Sequence, residues 1–331
     1  MSESGDNAKE LVVFRNESGD LGFFQRDGDK VHYIVYPASG STILTTDDIS
    51  SWHTWSRLFA IGMEEGNPEQ ITPKAINYFL SRKALINPNV VQLHRIKYPG
   101  SYYPRIFRKN IEFNPFDPNF LQDMRAYQNI QSSLDNLFNF IEPVELNLKT
   151  YGHKIRELLI LACTEVEYLL LKVLTENGYP EKGRYSTVDY VRCRDVLKLN
   201  LYEVELTQYS SLGIFTPFKD WDESRSTASI PWYYAYNQVK HNRSDNIPHA
   251  NLKHLLDAVA AIHILLESQY GERIFQGLFG APEYKSVFYT LTSPEWELDE
   301  ITAPILKTED KFYRVQAEWL NQRKYFEDHP Y

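Results

Sequence analysis

The sequence predicts an α+β protein that is mainly helical. Two long stretches, 151–177 and 248–270, carry apolar residues every three or four positions, as on the buried face of an amphipathic helix. The stretch 11–36 instead contains β-prone runs on either side of Asp27-Gly28, a dipeptide typical of a tight hairpin turn. With 331 residues, the chain is long enough for about two domains.

The first 118 residues are predicted to form a small α+β unit. Its strands are followed by a predicted helix over 50–63 and by a second, short helix over 73–82. Pro73 is compatible with a helix start, because the first helical position has no hydrogen bond to lose. Three prolines indicate that 90–116 consists of loops with short extended pieces.

Residues 119–279 are predicted to form an all-helical bundle, and 280–331 a C-terminal extended and helical extension. The bundle helices are expected over 119–140, 151–177, 187–197, 231–243 and 248–270. In the C-terminal extension, we expect an extended hairpin and a final short helix around 315–323.

Composition excludes several classes of protein. There are 35 basic and 44 acidic residues, and a net charge of −9 argues against indiscriminate coating of nucleic acid. No apolar run approaches the roughly 20 residues that span a bilayer, and no secretory signal is visible, so a cytoplasmic protein without membrane contact is expected. Two cysteines are too few for a disulfide framework or a cysteine-based zinc site. Without a phosphate loop or a compact ligand set, we expect neither cofactor nor metal.

The richest chemistry lies in YNQVKHNRSDNIPHANL, residues 236–252. The pattern predicts Arg243 at the end of one helix and His249 in the first turn of the next. There the positive helix end disfavours an imidazolium, so His249 would accept a proton, while Arg243 would hold a phosphate with two hydrogen bonds. Free N–H groups at the helix start would complete a metal-free phosphodiester site. The alternative is that Arg243 pairs with Asp245 or another surface carboxylate and that His249 is an ordinary surface residue at the helix start.

Four further side chains are candidates to support this site. Lys240 and His241 precede the arginine and are alternative active-site groups or solvated residues. Asn237 is a candidate for a buried hydrogen bond that fixes the helix pair. Glu165, on the helix over 151–177, is the best candidate to pair with Lys240 or Arg243 across the bundle.

A helical bundle with Arg-x5-His between its last two long helices resembles the HEPN superfamily (higher eukaryotes and prokaryotes nucleotide-binding). The resemblance covers about 120–275. RELLILACTEVEYLLLKVL is similar to an early bundle helix, and WYYAYNQVKHNR with LKHLLDAVAAIHILLESQYG is similar to the pair that bears the motif. The residue after the arginine is commonly Asn, Asp or His in the family. Here it is Ser244, and Asn242 precedes the arginine instead.

The resemblance implies a metal-independent RNA endonuclease that activates a ribose 2′-hydroxyl. It also implies a homodimer with two Arg/His sets in one cleft and a toxin–antitoxin or antiviral phage-defence setting, with an antitoxin or defence protein as partner. Arg243 would then stabilise the phosphate and His249 would act as acid or base. Many family members lack activity, so the alternative is a noncatalytic HEPN-like module that binds a nucleotide or another protein.

A second candidate for RNA contact is the basic stretch 81–111, which has seven basic residues, no acidic residue and interleaved aromatic side chains. Basic groups follow a phosphate backbone while aromatic rings stack on unpaired bases. The alternative is a basic linker that packs against the acidic helical domain. The basic residues are Arg82, Lys83, Arg95, Lys97, Arg105, Arg108 and Lys109.

Overall fold

A computed structural model confirms the α+β class and divides the chain into two units. The first unit comprises Met1–Ser101, Arg108–Ile111 and Trp296–Arg323, and the second comprises Tyr102–Phe107, Glu112–Glu295 and Lys324–Tyr331. The structure describes residues 10–36, 43–48, 52, 71–83, 89–97, 100, 102, 105, 106, 108, 116–276, 284–309, 314–318 and 323–330.

The described strands and helices are numbered here in chain order. The strands are β1 (Glu10–Asn16), β2 (Leu21–Asp27), β3 (Lys30–Tyr36), β4 (Ile43–Asp48), β5 (Val90–Ile96), β6 (Glu203–Leu206), β7 (Ile214–Phe215), β8 (Phe288–Thr292), β9 (Ile305–Glu309) and β10 (Arg314–Glu318). The helices are α1 (Pro73–Lys83), α2 (Pro118–Phe138), α3 (His153–Glu176), α4 (Thr187–Tyr190), α5 (Arg192–Val196), α6 (Pro231–His241), α7 (Arg243–Asn246), α8 (Leu252–Tyr270) and α9 (Tyr325–Asp328).

The first unit is built on an antiparallel sheet with the strand order β4-β3-β2-β1-β5. The predicted hairpin is confirmed: Asp27 lies opposite Lys30, and Gly28 supplies the positive φ of +58° that the turn requires. The short helix that begins at Pro73 is also confirmed as α1. The helix predicted over 50–63 lies outside the described residues, apart from Trp52.

Both faces of this sheet are covered, which explains why β1 is almost continuously apolar. Val12 and Phe14 face a core completed by α1. Leu11 and Val13 face the other side, where they pack with residues of the C-terminal part of the chain, Trp296, Leu298, Ile301, Ala303 and Leu306. In a sheet with one face exposed to solvent, each strand would instead alternate apolar and polar residues.

The C-terminal residues do not form the separate extension predicted over 280–331. Residues 296–309 and 314–318 belong to the first unit, and β8 and α9 belong to the second. Gln25 anchors one of these segments, because its buried amide donates to the Leu306 carbonyl at 3.0 Å and accepts from the Leu306 N–H at 2.9 Å. The helix predicted around 315–323 is wrong over 314–318, which pairs with β9 as a strand.

The second unit is a bundle in which α8 packs against α2, α3 and α6. Every residue of α8 from Leu255 to Tyr270 is buried. The prediction of an all-helical region is wrong in one respect, because β6 pairs with β7 and with β8 in a three-stranded antiparallel sheet. The periodic apolar pattern identified the long helices but carried no information on these short strands.

Local chemistry sets the ends of the bundle helices. Asp117 caps α2 by accepting hydrogen bonds from the N–H groups of Asn119 and Phe120, at 2.9 and 3.2 Å. Gly178 follows α3 with a φ of +77°, as is common after a helix. Ser186 and Asp189 form a capping box at the start of α4.

We predict that Gly22→Ala destabilises the first unit by about 1–3 kcal/mol, the range for overpacking a core. A Cβ on Gly22 would overlap the ring of Phe14, which is fully buried and has no room to retreat. Urea unfolding measures the loss.

Two controls test whether overlap with the Phe14 ring causes the loss of stability. Gly183→Ala adds a Cβ with no atom within 4 Å and should leave stability nearly unchanged. Phe14→Leu should reduce the additional penalty of Gly22→Ala when the two are combined. A Gly22→Ala penalty that is the same with Phe14 and with Leu at position 14 would contradict the proposed overlap.

Candidate functional site

The predicted Arg/His motif lies at the junction between α6 and α8. Arg243 is the first residue of the short helix α7, and His249 ends a 3₁₀ turn over Ile247–His249. Helix α8 starts later than predicted because Asn251 is its N-cap, with a side chain that accepts from the His254 N–H at 3.0 Å. His249 therefore precedes the helix instead of lying in its first turn. The argument that the helix dipole holds His249 neutral is wrong.

The backbone N–H groups at the start of α8 are occupied. Leu252 donates to the Thr150 carbonyl and Lys253 donates to the Leu148 carbonyl, both at 2.9 Å. The third N–H group, that of His254, is taken by the Asn251 cap. The prediction of free N–H groups beside the motif is therefore wrong, and any anion bound there must be held by side chains.

Arg243 and His249 are both exposed. The predicted alternative, an Arg243–Asp245 ion pair, is not formed; Asp245 accepts from the side chain of Asn242 at 2.9 Å. Among the described residues, no carboxylate pairs with Arg243. The two motif residues are six positions apart, one on α7 and one at the end of the 3₁₀ turn, and no described hydrogen bond joins their side chains.

Helix α6, which leads into this junction, is fixed near both ends. Near its start, the buried Trp232 donates its indole N–H to the Pro217 carbonyl at 2.9 Å. Near its end, the Arg156 Nε of α3 donates to the Val239 carbonyl at 3.0 Å. This second bond satisfies a carbonyl that the helix leaves without an intrahelical partner, and it places positive charge at the negative end of the helix dipole.

A polar network connects α3 with α6. The Glu167 carboxylate accepts a hydrogen bond from the Tyr233 hydroxyl and a longer one, 3.5 Å, from the Tyr236 hydroxyl. Lys240 Nζ donates to the same Tyr236 hydroxyl at 2.6 Å. This bond is the main reason that the pKa of Lys240 is raised, so the amine stays charged. Burial raises the pKa of Tyr236, which keeps its hydroxyl protonated.

Sequence reasoning missed Glu167, Tyr233 and Tyr236, although a signal was present. Tyr233, Tyr236 and Lys240 follow one another at i, i+3 and i+7, which places them on one face of α6. Two of the predicted supporting residues behave differently. His241 is exposed at the end of α6. Asn237 is partly exposed and donates to the Tyr233 carbonyl at 3.1 Å within its own helix, so it does not fix the helix pair.

Glu165 does not support the motif as predicted. Its electrostatic neighbours are Asp123 and Arg105 rather than Lys240 or Arg243. On α3 it lies two positions before Glu167, about 200° around the helix, so only Glu167 faces α6. Burial raises the pKa of Glu165 to about 7; Asp123 adds to the shift and Arg105 opposes it.

Arg105 belongs to a buried cluster in the second unit. Its side chain is fully buried and forms a hydrogen-bonded ion pair with Asp123, which also accepts from the Tyr270 hydroxyl at 2.7 Å. The guanidinium carbon lies 5.4 Å from the centre of the Tyr270 ring. The predicted RNA contact is therefore wrong for Arg105. The alternative, packing of basic residues against the helical domain, is confirmed at this position.

Three further basic residues of the stretch have described side chains. Arg95 pairs with Glu10, and Arg108 is 7% exposed, donates to the Glu300 carbonyl at 3.1 Å and lies over the Trp296 ring. Lys97 is exposed. The side chains of Arg82 and Lys83, and all of Lys109, lie outside the described residues. Arg95 and Arg108 are thus engaged by other residues of the first unit, and RNA contact by the rest of the stretch stays a prediction.

None of the helices among the described residues is long and apolar enough to cross a membrane. No three His, Cys, Asp or Glu side chains in the same part of the chain come together as a metal-binding set.

Comparison with known proteins adds no relative. No family model matches this sequence, and neither a curated protein nor a solved structure is significantly similar to it.

We predict that Glu165 makes stability depend on pH. Its pKa is about 7 in the folded protein against an ordinary value of 4.5. Between these values the folded state binds more protons than the unfolded state, so the free energy of unfolding falls as the pH rises. Glu165→Gln should remove this contribution. Urea unfolding at pH 4.5, 6 and 8 should show the variant gaining stability relative to the parent as the pH rises, whereas a constant difference would contradict the assignment.

Proposed function

We propose that this protein is a metal-independent RNA endonuclease of HEPN type that acts in the cytoplasm at the junction between α6 and α8. The proposal rests chiefly on the surroundings of Arg243. It is exposed, it shares a short junction with the exposed His249, and no described carboxylate neutralises it.

The chemistry requires only side chains. A guanidinium binds two oxygens of one phosphate through parallel hydrogen bonds and remains charged at all relevant pH values. An imidazole transfers protons near neutral pH. Arg243 would stabilise the charge on the phosphorus oxygens while His249 accepts the proton of the attacking ribose 2′-hydroxyl or protonates the leaving 5′-oxygen. The products would be a 2′,3′-cyclic phosphate and a 5′-hydroxyl.

A homodimer is part of this proposal. It belongs to the proposal through the resemblance to the HEPN superfamily. A second copy of the chain would bring Arg243 of one protomer to the same phosphate as His249 of its partner. The cellular setting, a toxin–antitoxin or antiviral defence system with a protein partner, belongs to the proposal through the resemblance alone.

The second candidate is a noncatalytic module that binds a nucleotide or RNA through the same cations. It is favoured by the occupied N–H groups at the start of α8, since these groups would otherwise help to stabilise a transition state. The two candidates differ in whether bound RNA is cut.

We predict that the purified protein cleaves single-stranded RNA in EDTA and that Arg243→Ala and His249→Ala each lower the rate by at least 10²-fold, in the range for losing a catalytic proton-transfer or charge-stabilising group. Cleavage is measured on gels with end-labelled RNA. RNA carrying 2′-O-methyl groups should remain intact, because it lacks the attacking hydroxyl.

The matched control is Arg225→Ala, which removes another exposed arginine of the second unit. It should cleave at the parent rate. Circular dichroism verifies that each variant is folded. Cleavage by both motif variants at the parent rate would remove Arg243 and His249 from the mechanism. RNA binding without cleavage by the parent would favour the noncatalytic module.

A further inference from the structure

We propose that Ser286 is the nucleophile of a serine–histidine–glutamate site that hydrolyses small carboxylic esters. His263 of α8 serves as its general base. Glu267 of the same helix and Thr290 of β8 are positioning residues for the imidazole. This activity is separate from RNA cleavage and does not depend on the proposed function.

The side chains of this site are in contact within the second unit. Ser286 Oγ lies 2.8 Å from His263 Nδ1. The opposite ring nitrogen, Nε2, lies 2.9 Å from the Thr290 hydroxyl and 3.3 Å from a carboxylate oxygen of Glu267. A serine is activated when a base lies within hydrogen-bond distance and a third group orients that base. All of these relations are present here.

The hydrogen bonds set the direction in which protons would move. Glu267 accepts the only hydroxyl proton of Thr290 at 2.6 Å, so Thr290 accepts in turn from His263 Nε2–H. A neutral imidazole with its proton on Nε2 has a lone pair on Nδ1, which accepts from the Ser286 hydroxyl. Ser286 then has no further proton to give, so the Tyr127 hydroxyl donates to Oγ at 2.8 Å. The proton that must be abstracted therefore already points at the base.

Helix α2 holds the serine in this position. Gln131 donates to the Lys285 carbonyl at 3.1 Å and accepts from the Val287 N–H at 2.6 Å, so it binds the backbone on both sides of Ser286. Gln128 donates to the same Lys285 carbonyl at 2.9 Å. Reacting groups that are fixed beforehand lower the entropic part of a barrier.

Burial differs between the nucleophile and its partners. Ser286 is partly exposed, whereas His263 and Glu267 are only 1% and 4% exposed. The ring of Phe275 stacks on the imidazole with the ring centres 4.6 Å apart. Charge interactions are stronger among such buried groups than in water. Because Ser286 is only partly exposed, we infer that the acyl group of the substrate is small.

The first step transfers the acyl group to the enzyme. Ser286 Oγ attacks the carbonyl carbon of the ester while its proton passes to His263 Nδ1. Burial raises the pKa of the Tyr127 hydroxyl, which therefore stays protonated and donates to the developing oxyanion. The bond between the carbonyl carbon and the alcohol oxygen then breaks, and His263 gives its proton to that oxygen.

The second step restores the enzyme. A water molecule attacks the acyl carbon and gives a proton to His263. The bond from Ser286 Oγ to the acyl carbon breaks, and His263 returns the proton to the serine. The net reaction consumes one ester and one water and yields one carboxylic acid and one alcohol.

We expect a fluorophosphonate probe to label the folded protein at Ser286, with formation of an Oγ–phosphorus bond and loss of fluoride. Peptide mass spectrometry locates the label. Ser286→Ala should lose it, and His263→Gln should slow labelling at least 10²-fold, as expected for loss of a general base. The parent should also hydrolyse p-nitrophenyl acetate, and Ser286→Ala should lose this activity.

Ser224→Ala is the matched control. Ser224 is exposed in the second unit, and its hydroxyl donates to the Asp222 carboxylate at 2.9 Å instead of contacting an imidazole. This variant should be labelled at Ser286 at the parent rate. The parent unfolded in urea should not be labelled, because the groups that activate the serine are then separated. Circular dichroism verifies that each variant is folded.

Glu267→Gln tests the positioning role through the pH profile of labelling. The nearby Tyr127 and Tyr202 hydroxyls have pKa values raised by burial and stay neutral, so Glu267 supplies the charge beside the imidazole. A carboxylate favours the protonated ring, which cannot act as a base. Its removal should therefore move the pH midpoint of labelling down by about one unit. An unchanged midpoint would overturn the role assigned to Glu267.

Three results would overturn the esterase site. They are a folded parent that the probe does not label, a label located on a residue other than Ser286, and labelling of His263→Gln at the parent rate. The first two are read on the parent itself, so they decide the matter even where a variant does not fold.

Discussion

The burial of α8 on all sides is the constraint on which the second unit depends. Sixteen consecutive residues, Leu255–Tyr270, are buried, and a buried polar group must find a hydrogen-bond partner or lose stability. Two partners of His263 come from outside the helix: its ring nitrogens lie 2.8 Å from the Ser286 hydroxyl and 2.9 Å from the Thr290 hydroxyl, and one of them also lies 3.3 Å from Glu267 of the same helix. Thr290 donates in turn to Glu267 at 2.6 Å. These hydrogen bonds hold β8 beside α8, so this strand becomes part of the bundle.

The same constraint shapes the candidate site. The first N–H groups of α8 bind the carbonyls of Thr150 and Leu148, just before α3, and this locks the start of α8 to the start of α3. As a result, these backbone N–H groups of α8 are not available to bind an anion. The short helix α7 and the 3₁₀ turn that follows it carry Arg243 and His249 at the surface. The groups suited to phosphate chemistry therefore lie on the segment that joins the two long helices.

The sequence predicted the long helices well, because their apolar pattern repeats over several turns and a few deviating residues do not obscure it. Helices α1, α2, α3 and α6 begin within two residues of their predicted starts. The start of α8 was misplaced because Pro248 and Asn251 are both good start signals, and only the tertiary bonds of the following N–H groups decide between them. The role of Glu165 was misassigned for a similar reason: periodicity shows that a side chain lies on a helix but not which neighbouring helix it faces. The pairing of β6 with β8, across more than 80 residues, has no local signature.

The position of unpaired positive charge is the strongest guide to function in this acidic chain. Counting charges along the sequence points to 81–111, yet Arg105 is buried against Asp123 and Arg95 contacts Glu10, a carboxylate that it shares with Arg26. A buried arginine must be paired, because an isolated buried charge costs several kcal/mol. Arg105 therefore stabilises the fold and is not accessible to a ligand. Arg243 shows the opposite: it is exposed, and Asp245, two positions later on α7, accepts from the neutral amide of Asn242. Function is better sought where a cation is left unpaired than where cations are most numerous.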